Sequence, residues 1–246
     1  MEFEKPFTEP TGRRIRVRLG GGLVADSARA RLLVQYGRGE LPTYYLPRED
    51  VAAGALSNPR AGSAGQQIWD VALGSKRAEA GAWEHPNPTG ELADLAGHVT
   101  FSWRQLEWYE EDERAQVHAR DPYKRVDTLR SSRRVQIYLE GQKVADSIRP
   151  LLLFETHLPV RYYLPAEDVR TDLLEASDTV TSCPYKGMAR YWSVRLGQNL
   201  VRDVMWSYPD PIPENPKIRD LFCFFNERVD LVVDSVPQDR PDTPWS

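Results

Sequence analysis

Five consecutive residues in the second half of the chain, Cys183-Pro184-Tyr185-Lys186-Gly187, bring a thiol within reach of an ammonium group. A nearby cation favours the thiolate, which is the nucleophilic form of cysteine, so Cys183 and Lys186 are the candidate catalytic pair. Against catalysis, no histidine stands close in sequence, and a free cysteine is ordinarily buried as a small hydrophobe. The proline after Cys183 fixes a turn without any need of chemistry. A binding site draws on the same stretch. Tyr185 and Lys186, walled by Trp192, Trp206 and Tyr208, have the make-up of a small-molecule pocket, with Tyr162 beside them and Arg149 and Arg161 as charge partners for an anionic or nucleotide-like ligand. Plain core packing accounts for these aromatic residues equally well.

The elements that must position these residues come from a duplication. Tyr44-Tyr45-Leu46-Pro47-Arg48-Glu49-Asp50-Val51 recurs as Tyr162-Tyr163-Leu164-Pro165-Ala166-Glu167-Asp168-Val169. Val24-Ala25-Asp26-Ser27 recurs as Val144-Ala145-Asp146-Ser147, and Trp83-Glu84-His85-Pro86 as Trp206-Ser207-Tyr208-Pro209. The cysteine-containing segment has no twin. A shorter loop of small residues, 58–65, stands in its place, so any chemistry of that segment belongs to the second copy.

Ile15, Val17 and Leu19 alternate with Arg14, Arg16 and Arg18, which predicts a strand with aliphatics on one face and arginines on the other; Val135, Ile137 and Leu139 alternate in the same way. Gly20-Gly21-Gly22 matches Glu140-Gly141-Gln142, so the triple glycine reads as a hairpin turn rather than a phosphate loop. Leu32-Leu33-Val34 and Leu151-Leu152-Leu153-Phe154 read as strands covered on both faces. Each Tyr-Tyr-Leu-Pro stretch is a strand ended by its proline, and the acidic residues that follow open a short helical turn. Glu49, Asp50, Glu167 and Asp168 are therefore read as local dipole partners, and Asp26 and Asp146 as turn residues in preference to ligand carboxylates.

The resulting plan is mainly β with little helix: an arm over residues 1–13, a first repeat over 14–108, a charged connector arm over 109–133, a second repeat with the candidate site over 134–236, and a tail over 237–246. The 246 residues are 41% apolar and 28% charged, with a net charge of −4, as in a soluble globular chain with material for a sizeable core. No apolar run spans a bilayer and no secretory leader is evident, so a cytoplasmic location and no membrane partner are expected. Mild acidity argues against nucleic acid as a partner. Two cysteines are too few for a disulfide framework or a four-cysteine metal site, and no metal is expected.

The segments Val144 to Ser147, Tyr162 to Val169, Cys183 to Gly187, Tyr191-Trp192-Ser193-Val194 and Trp206 to Pro211 together resemble the bacterial and fungal domain-of-unknown-function family 427, which carries a nucleotidyltransferase-type label. The resemblance covers nearly the whole second half, and the first half with gaps. It implies two tandem copies of a small antiparallel β domain resembling the β-tent folds, which in related groups hold a zinc on four cysteines. Nucleotidyl transfer of the common type needs two or three carboxylates on magnesium and a Gly-Ser turn for the triphosphate, and neither pattern stands in the chain. The expectation is a small-molecule-binding protein whose standing as an enzyme is open, with nucleotidyl transfer or a non-catalytic protein-interaction module as alternatives. Nothing in the residues identifies a cofactor or an oligomeric state.

Overall fold

A computed structural model describes residues 5–37, 40–63, 65–243 and 245. The chain divides into two compact units, 1–121 and 122–246. In the first unit the strands are β1 (Phe7–Pro10), β2 (Ile15–Leu19), β3 (Gly22–Ser27), β4 (Arg31–Val34), β5 (Thr43–Pro47), β6 (Leu56–Ala61), β7 (Gln67–Leu73), β8 (Lys76–Glu84), β9 (His98–Phe101), β10 (Glu107–Glu110) and β11 (Glu113–Ala115). In the second they are β12 (Val126–Arg130), β13 (Val135–Leu139), β14 (Gln142–Ser147), β15 (Leu151–Glu155), β16 (Arg161–Leu164), β17 (Leu174–Cys183), β18 (Gly187–Leu196), β19 (Asn199–Ser207), β20 (Phe222–Phe224), β21 (Asp230–Val233) and β22 (Val236–Gln238). Helical structure among the described residues is confined to short 3-10 turns, such as Arg48–Asp50 and Ala166–Asp168 directly after the two prolines. None of it is long and apolar enough to cross a membrane.

Each unit builds the same pair of antiparallel sheets. The first has a seven-stranded sheet in the order β1-β4-β5-β9-β8-β7-β6 and a four-stranded sheet β11-β10-β2-β3; the second has β12-β15-β16-β20-β19-β18-β17 and β14-β13-β21-β22. The repeat unit therefore extends past the stretches read as arms. Phe7–Pro10, within residues 1–13, is an edge strand paired with β4, and Val126–Arg130, within 109–133, pairs with β15 in the same place. Tyr109, Glu110 and β11 close the small sheet of the first unit, and Pro237 and Gln238 belong to β22.

The β2–β3 hairpin turns through Gly20 and Gly21 at φ of 56° and 83°, and the β13–β14 hairpin through Glu140 and Gly141 at 50° and 79°. Positive φ at both central residues is the twist-matched two-residue hairpin, so the triple glycine is a turn. In each unit one hydrophobic cluster takes side chains from both sheets: Ile15, Val17, Tyr44, Leu46 and Trp108 in the first, Val135, Ile137, Tyr162, Leu164 and Leu231 in the second. Residues of opposite parity on the large sheet form a second, smaller cluster on its outer face, as Leu33 and Tyr45 do in one unit and Leu151, Leu153 and Tyr163 in the other. Leu46 and Leu164 occupy equivalent, fully buried positions between the sheets. Leu46→Ala and Leu164→Ala are each expected to destabilise their own unit by about 2–5 kcal/mol, read as a lower urea midpoint at an unchanged slope.

Candidate functional site

The pleat sends alternate residues of the large sheet of the second unit to its outer face. β15 contributes Leu151, Leu153 and Glu155, and β16 contributes Arg161 and Tyr163. Strand pairing then sets Tyr163 beside Cys223, Cys223 beside Trp206, and Trp206 beside Tyr191, a row that crosses β16, β20, β19 and β18. The Trp206 indole N–H donates to the Tyr163 hydroxyl at 3.1 Å, and the two rings meet edge-on at 88°. Phe225 lies against this row, 4.6 Å from the Trp206 ring and 6.3 Å from that of Tyr191.

Two charge clusters share the face. Arg161 forms a buried fork with Glu227, at 2.7 Å for both contacts, and its guanidinium lies 5.5 Å from the Trp206 ring and 5.6 Å from that of Trp245. Glu155 is bound by Lys186 and, at 3.1 Å, by Lys124, with side-chain exposures of 6% for the carboxylate and 12% for Lys186. Cys183 lies close enough to Lys186 to help raise its pKa. Cys183 and Lys186 belong to the tip joining β17 to β18, four sheet positions from β15. At the usual strand spacing that is roughly 19 Å across a flat sheet, beyond the reach of a lysine side chain. The Lys186–Glu155 bond therefore brings the tip over the outer face toward β15, where Ile218 of the loop after β19 is buried in the same cluster as Leu151, Leu153 and Tyr163.

The tip is clamped by the loop after β19. The Ile212 amide donates to the Lys186 carbonyl at 3.1 Å, and the Asn215 side-chain amide donates to the Tyr185 carbonyl at 2.7 Å. Gly187 sits at φ +106°, where an added Cβ would stand 3.0 Å from the Asp210 carbonyl oxygen, so this close approach needs glycine.

Of the residues singled out from the sequence, Cys183, Lys186, Arg161, Tyr185, Trp206 and Tyr208 converge here. Tyr185 packs with its ring 5.7 Å from the Lys124 ammonium. Three lie elsewhere. Tyr162 and Trp192 have the opposite parity and belong to the cluster between the sheets, where Trp192 meets Phe222 edge-on at 5.2 Å. Arg149 pairs with Asp168 at 3.2 Å and with Glu167 at 3.6 Å, and all three are near solvent. Glu155, Tyr163, Tyr191, Cys223, Phe225 and Glu227 were not anticipated. The parity of Leu151, Leu153 and Glu155 was the available signal for the first of them.

The environment assigns protonation states. Desolvation presses Lys186 toward neutrality, but Cys183 and Glu155 outweigh it and its pKa is raised, so the side chain is an ammonium and no amine nucleophile. Burial pushes Tyr163 and Tyr208 well above the usual phenol value, which makes them neutral donors rather than bases. Burial likewise pushes the Cys223 thiol up to about 12. Cys183, half-buried, is the remaining nucleophile, and the lysine charge beside it is shared with Glu155. The zinc of four-cysteine domains does not fit. Among the described residues no three His, Cys, Asp or Glu side chains converge as metal ligands.

The first unit supplies the comparison. Thr43 stands at the place of Arg161, Thr100 at that of Cys223 and Gln35 at that of Glu155, as the matching strand pairs require. Thr43 and Thr100 hydrogen-bond at 3.2 Å, and the Trp103 indole donates to Thr43 at 2.8 Å. Trp83 and Tyr45 keep the places of Trp206 and Tyr163, but the charges are gone.

Fold and site thus define a duplicated two-sheet β protein in which one repeat carries charged and thiol groups on the outer face of its large sheet and the other does not. The family described as domain of unknown function (DUF427) matches residues 7–112 and again 127–235, and the chain belongs to that family as a tandem member. No curated protein matches the chain.

Glu155→Gln leaves two ammonium groups crowded without their carboxylate and is expected to cost about 3–5 kcal/mol in urea unfolding. The pH dependence has a definite sign. Desolvation would raise the Glu155 pKa, but Lys186 and Lys124 outweigh it and the value is lowered. Its contribution is complete above the unfolded carboxylate value of about 4.3 and disappears as the pH falls through the lower folded value. The raised Lys186 makes a contribution that is complete below about 10.4 and is lost as the pH rises through its folded value. The difference in melting temperature between wild type and Glu155→Gln should therefore be flat from about pH 5 to 9 and shrink on both sides.

Proposed function

We propose that the second repeat is a small-molecule-binding domain whose ligand binds at the outer face of its large sheet, beside the Cys183–Lys186 tip and the half-buried Tyr191 and Phe225 rings. The carrying observation is the contrast within the chain. Arg161, Glu155, Lys186, Cys183 and Cys223 cluster on this face, while the first repeat builds the same sheet with Thr43, Thr100 and Gln35 and no counterpart of the tip. Burying charge on a face the fold can complete with hydroxyls costs stability, and a ligand site is where such a cost is ordinarily found. The first repeat then serves as scaffold.

Aromatic walls with a few fixed polar groups suit a small organic ligand better than nucleic acid, in keeping with the net charge of −4. Two unpaired cysteines fit a reducing, cytoplasmic setting. The neutral phenols and the charge-compensated lysine favour binding over catalysis. Nucleotidyl transfer would need carboxylates free to hold magnesium, whereas Glu155 and Glu227 are each engaged by cations.

Half-buried Cys183 reports on occupancy, since Cys223 is fully buried. In a panel of nucleotides, organic anions, amines and thiols, the ligand is expected to raise the melting temperature and to slow iodoacetamide alkylation of Cys183 at least about fivefold, because a bound molecule excludes reagent and stabilises the native state. Phe225→Leu should weaken both effects with little change in the melting temperature of the free protein. A hit that stabilises the protein while leaving Cys183 alkylation unchanged would place binding elsewhere. A protein partner that protects Cys183 when no small molecule does would establish an interaction module instead.

A further inference from the structure

The arginines of β2 are not used by the site of the second repeat. Arg14, Arg16 and Arg18 share the outer face of the small sheet of the first unit, with Tyr109 of β10 opposite Arg16 and Arg114 of β11 opposite Tyr109. Arg14 is forked onto Asp26, and Arg16 holds Asp112 at 2.7 Å and the Glu111 carbonyl. Arg18 differs. Its guanidinium centre lies 5.3 Å from the Tyr109 ring centroid and that of Arg16 lies 5.9 Å from it, so two guanidinium groups gather on one aromatic ring. Arg18 has no ion pair or hydrogen bond among the described residues; its Nε, like that of Arg16, is buried without a partner. Exposed Arg114 likewise has no carboxylate partner among them. Glu107, paired across from Arg18, accepts a hydrogen bond from the Tyr109 hydroxyl at 3.3 Å.

The second repeat shows that the fold does not need this arrangement. Gln136 and Tyr138 stand at the places of Arg16 and Arg18, and Val232 and Pro237 at those of Tyr109 and Arg114, in the same sheet with the same register. A half-buried guanidinium with an unsatisfied N–H is unfavourable in itself, and the fold provides a neutral alternative at that position.

We propose that Arg18, Arg114 and Arg16, ranged around Tyr109, form a second binding site, in the first repeat, for the phosphate group of a small phosphorylated molecule. Guanidinium forks match the oxygens of phosphate in pairs, and two arginines without carboxylate partners balance its double charge. Arg16, steadied by Asp112, backs the site rather than opening it. This site and the outer face of the second repeat's large sheet stand or fall separately.

Isothermal titration of the full chain at low ionic strength with inorganic phosphate, pyrophosphate and adenosine monophosphate tests the assignment. Wild type should bind at least one of them, with affinity falling as salt rises. Arg18→Tyr, which installs the residue of the second repeat, and Arg114→Gln should each weaken that binding about tenfold or more, the loss of one charge-assisted contact. Arg77→Gln, remote in sequence and on β8, and Cys183→Ala should leave it unchanged. The proposal is overturned if wild type binds none of the three, or if Arg18→Tyr binds as well as wild type while remaining folded by circular dichroism. Equal binding of acetate and phosphate would also overturn it, since a single surface charge then suffices.

Discussion

A residue in a β-strand can face only one side of its sheet, and nearly everything in this chain follows from that restriction. The large sheet of each unit is covered on both sides, so each of its central strands must satisfy two environments in strict alternation. In the Tyr44-Tyr45 and Tyr162-Tyr163 pairs the first tyrosine packs between the sheets and the second joins the outer cluster. The same parity puts Met205 and Phe224 inside and Trp206 and Cys223 outside. A slip of one residue would exchange the two sets, driving Arg161 and Glu155 into an apolar core, so the core fixes the register on which the outer face depends.

Duplication makes the outer face interpretable. Two copies with one sheet order and one hairpin geometry separate what the architecture demands from what it merely allows. The Trp–Tyr pair recurs at equivalent positions in both copies and belongs to the architecture. The Arg161–Glu227 fork and the Lys186–Glu155–Lys124 cluster occur in one copy, and the Arg16–Arg18–Tyr109 arrangement in the other. Each copy thus departs from a shared neutral plan on a different sheet, the large one in the second repeat and the small one in the first.

Much of this was legible from residue spacing. Alternation in β2 and β13, the glycine turns after them and the proline-terminated tyrosine strands all rest on local backbone chemistry, which two residues on either side suffice to express. The limits of the repeats were harder. β1 and β12 are short edge strands with one covered side, and Phe7-Thr8-Glu9-Pro10 carries no clear period. β11 and β22 are three-residue strands whose only signal is their partner. The site divided along the same line. Cys183, Lys186 and Tyr185 stood out because a loop present in one copy is visible in sequence. Glu155 and Glu227 did not, because a carboxylate at a strand end or in a turn looks solvent-bound until a distant cation closes on it. Tyr162 and Trp192 were misplaced because a Tyr-Tyr or Tyr-Trp pair straddles the sheet, and the inward member is settled by cross-strand register.

The reach of the β17–β18 tip to β15 connects these points. Lys186 must reach Glu155 across strands that in a flat sheet would hold the two apart, so their ion pair is a closure as well as a charge neutralisation. Closing it removes both groups from water, a cost that their attraction offsets only if the geometry is held. The holding is done by backbone: the Ile212 amide on the Lys186 carbonyl, the Asn215 side chain on the Tyr185 carbonyl, and Gly187 against Asp210. In the first repeat the β6–β7 hairpin has shorter strands, its tip lacks a lysine and Gln35 stands in place of the carboxylate, so the Lys186–Glu155 ion pair has no counterpart there. The charged cluster, the longer hairpin and the glycine are therefore one device. Removing any member leaves the others without a reason to be there, which explains why the second repeat has all three and the first has none.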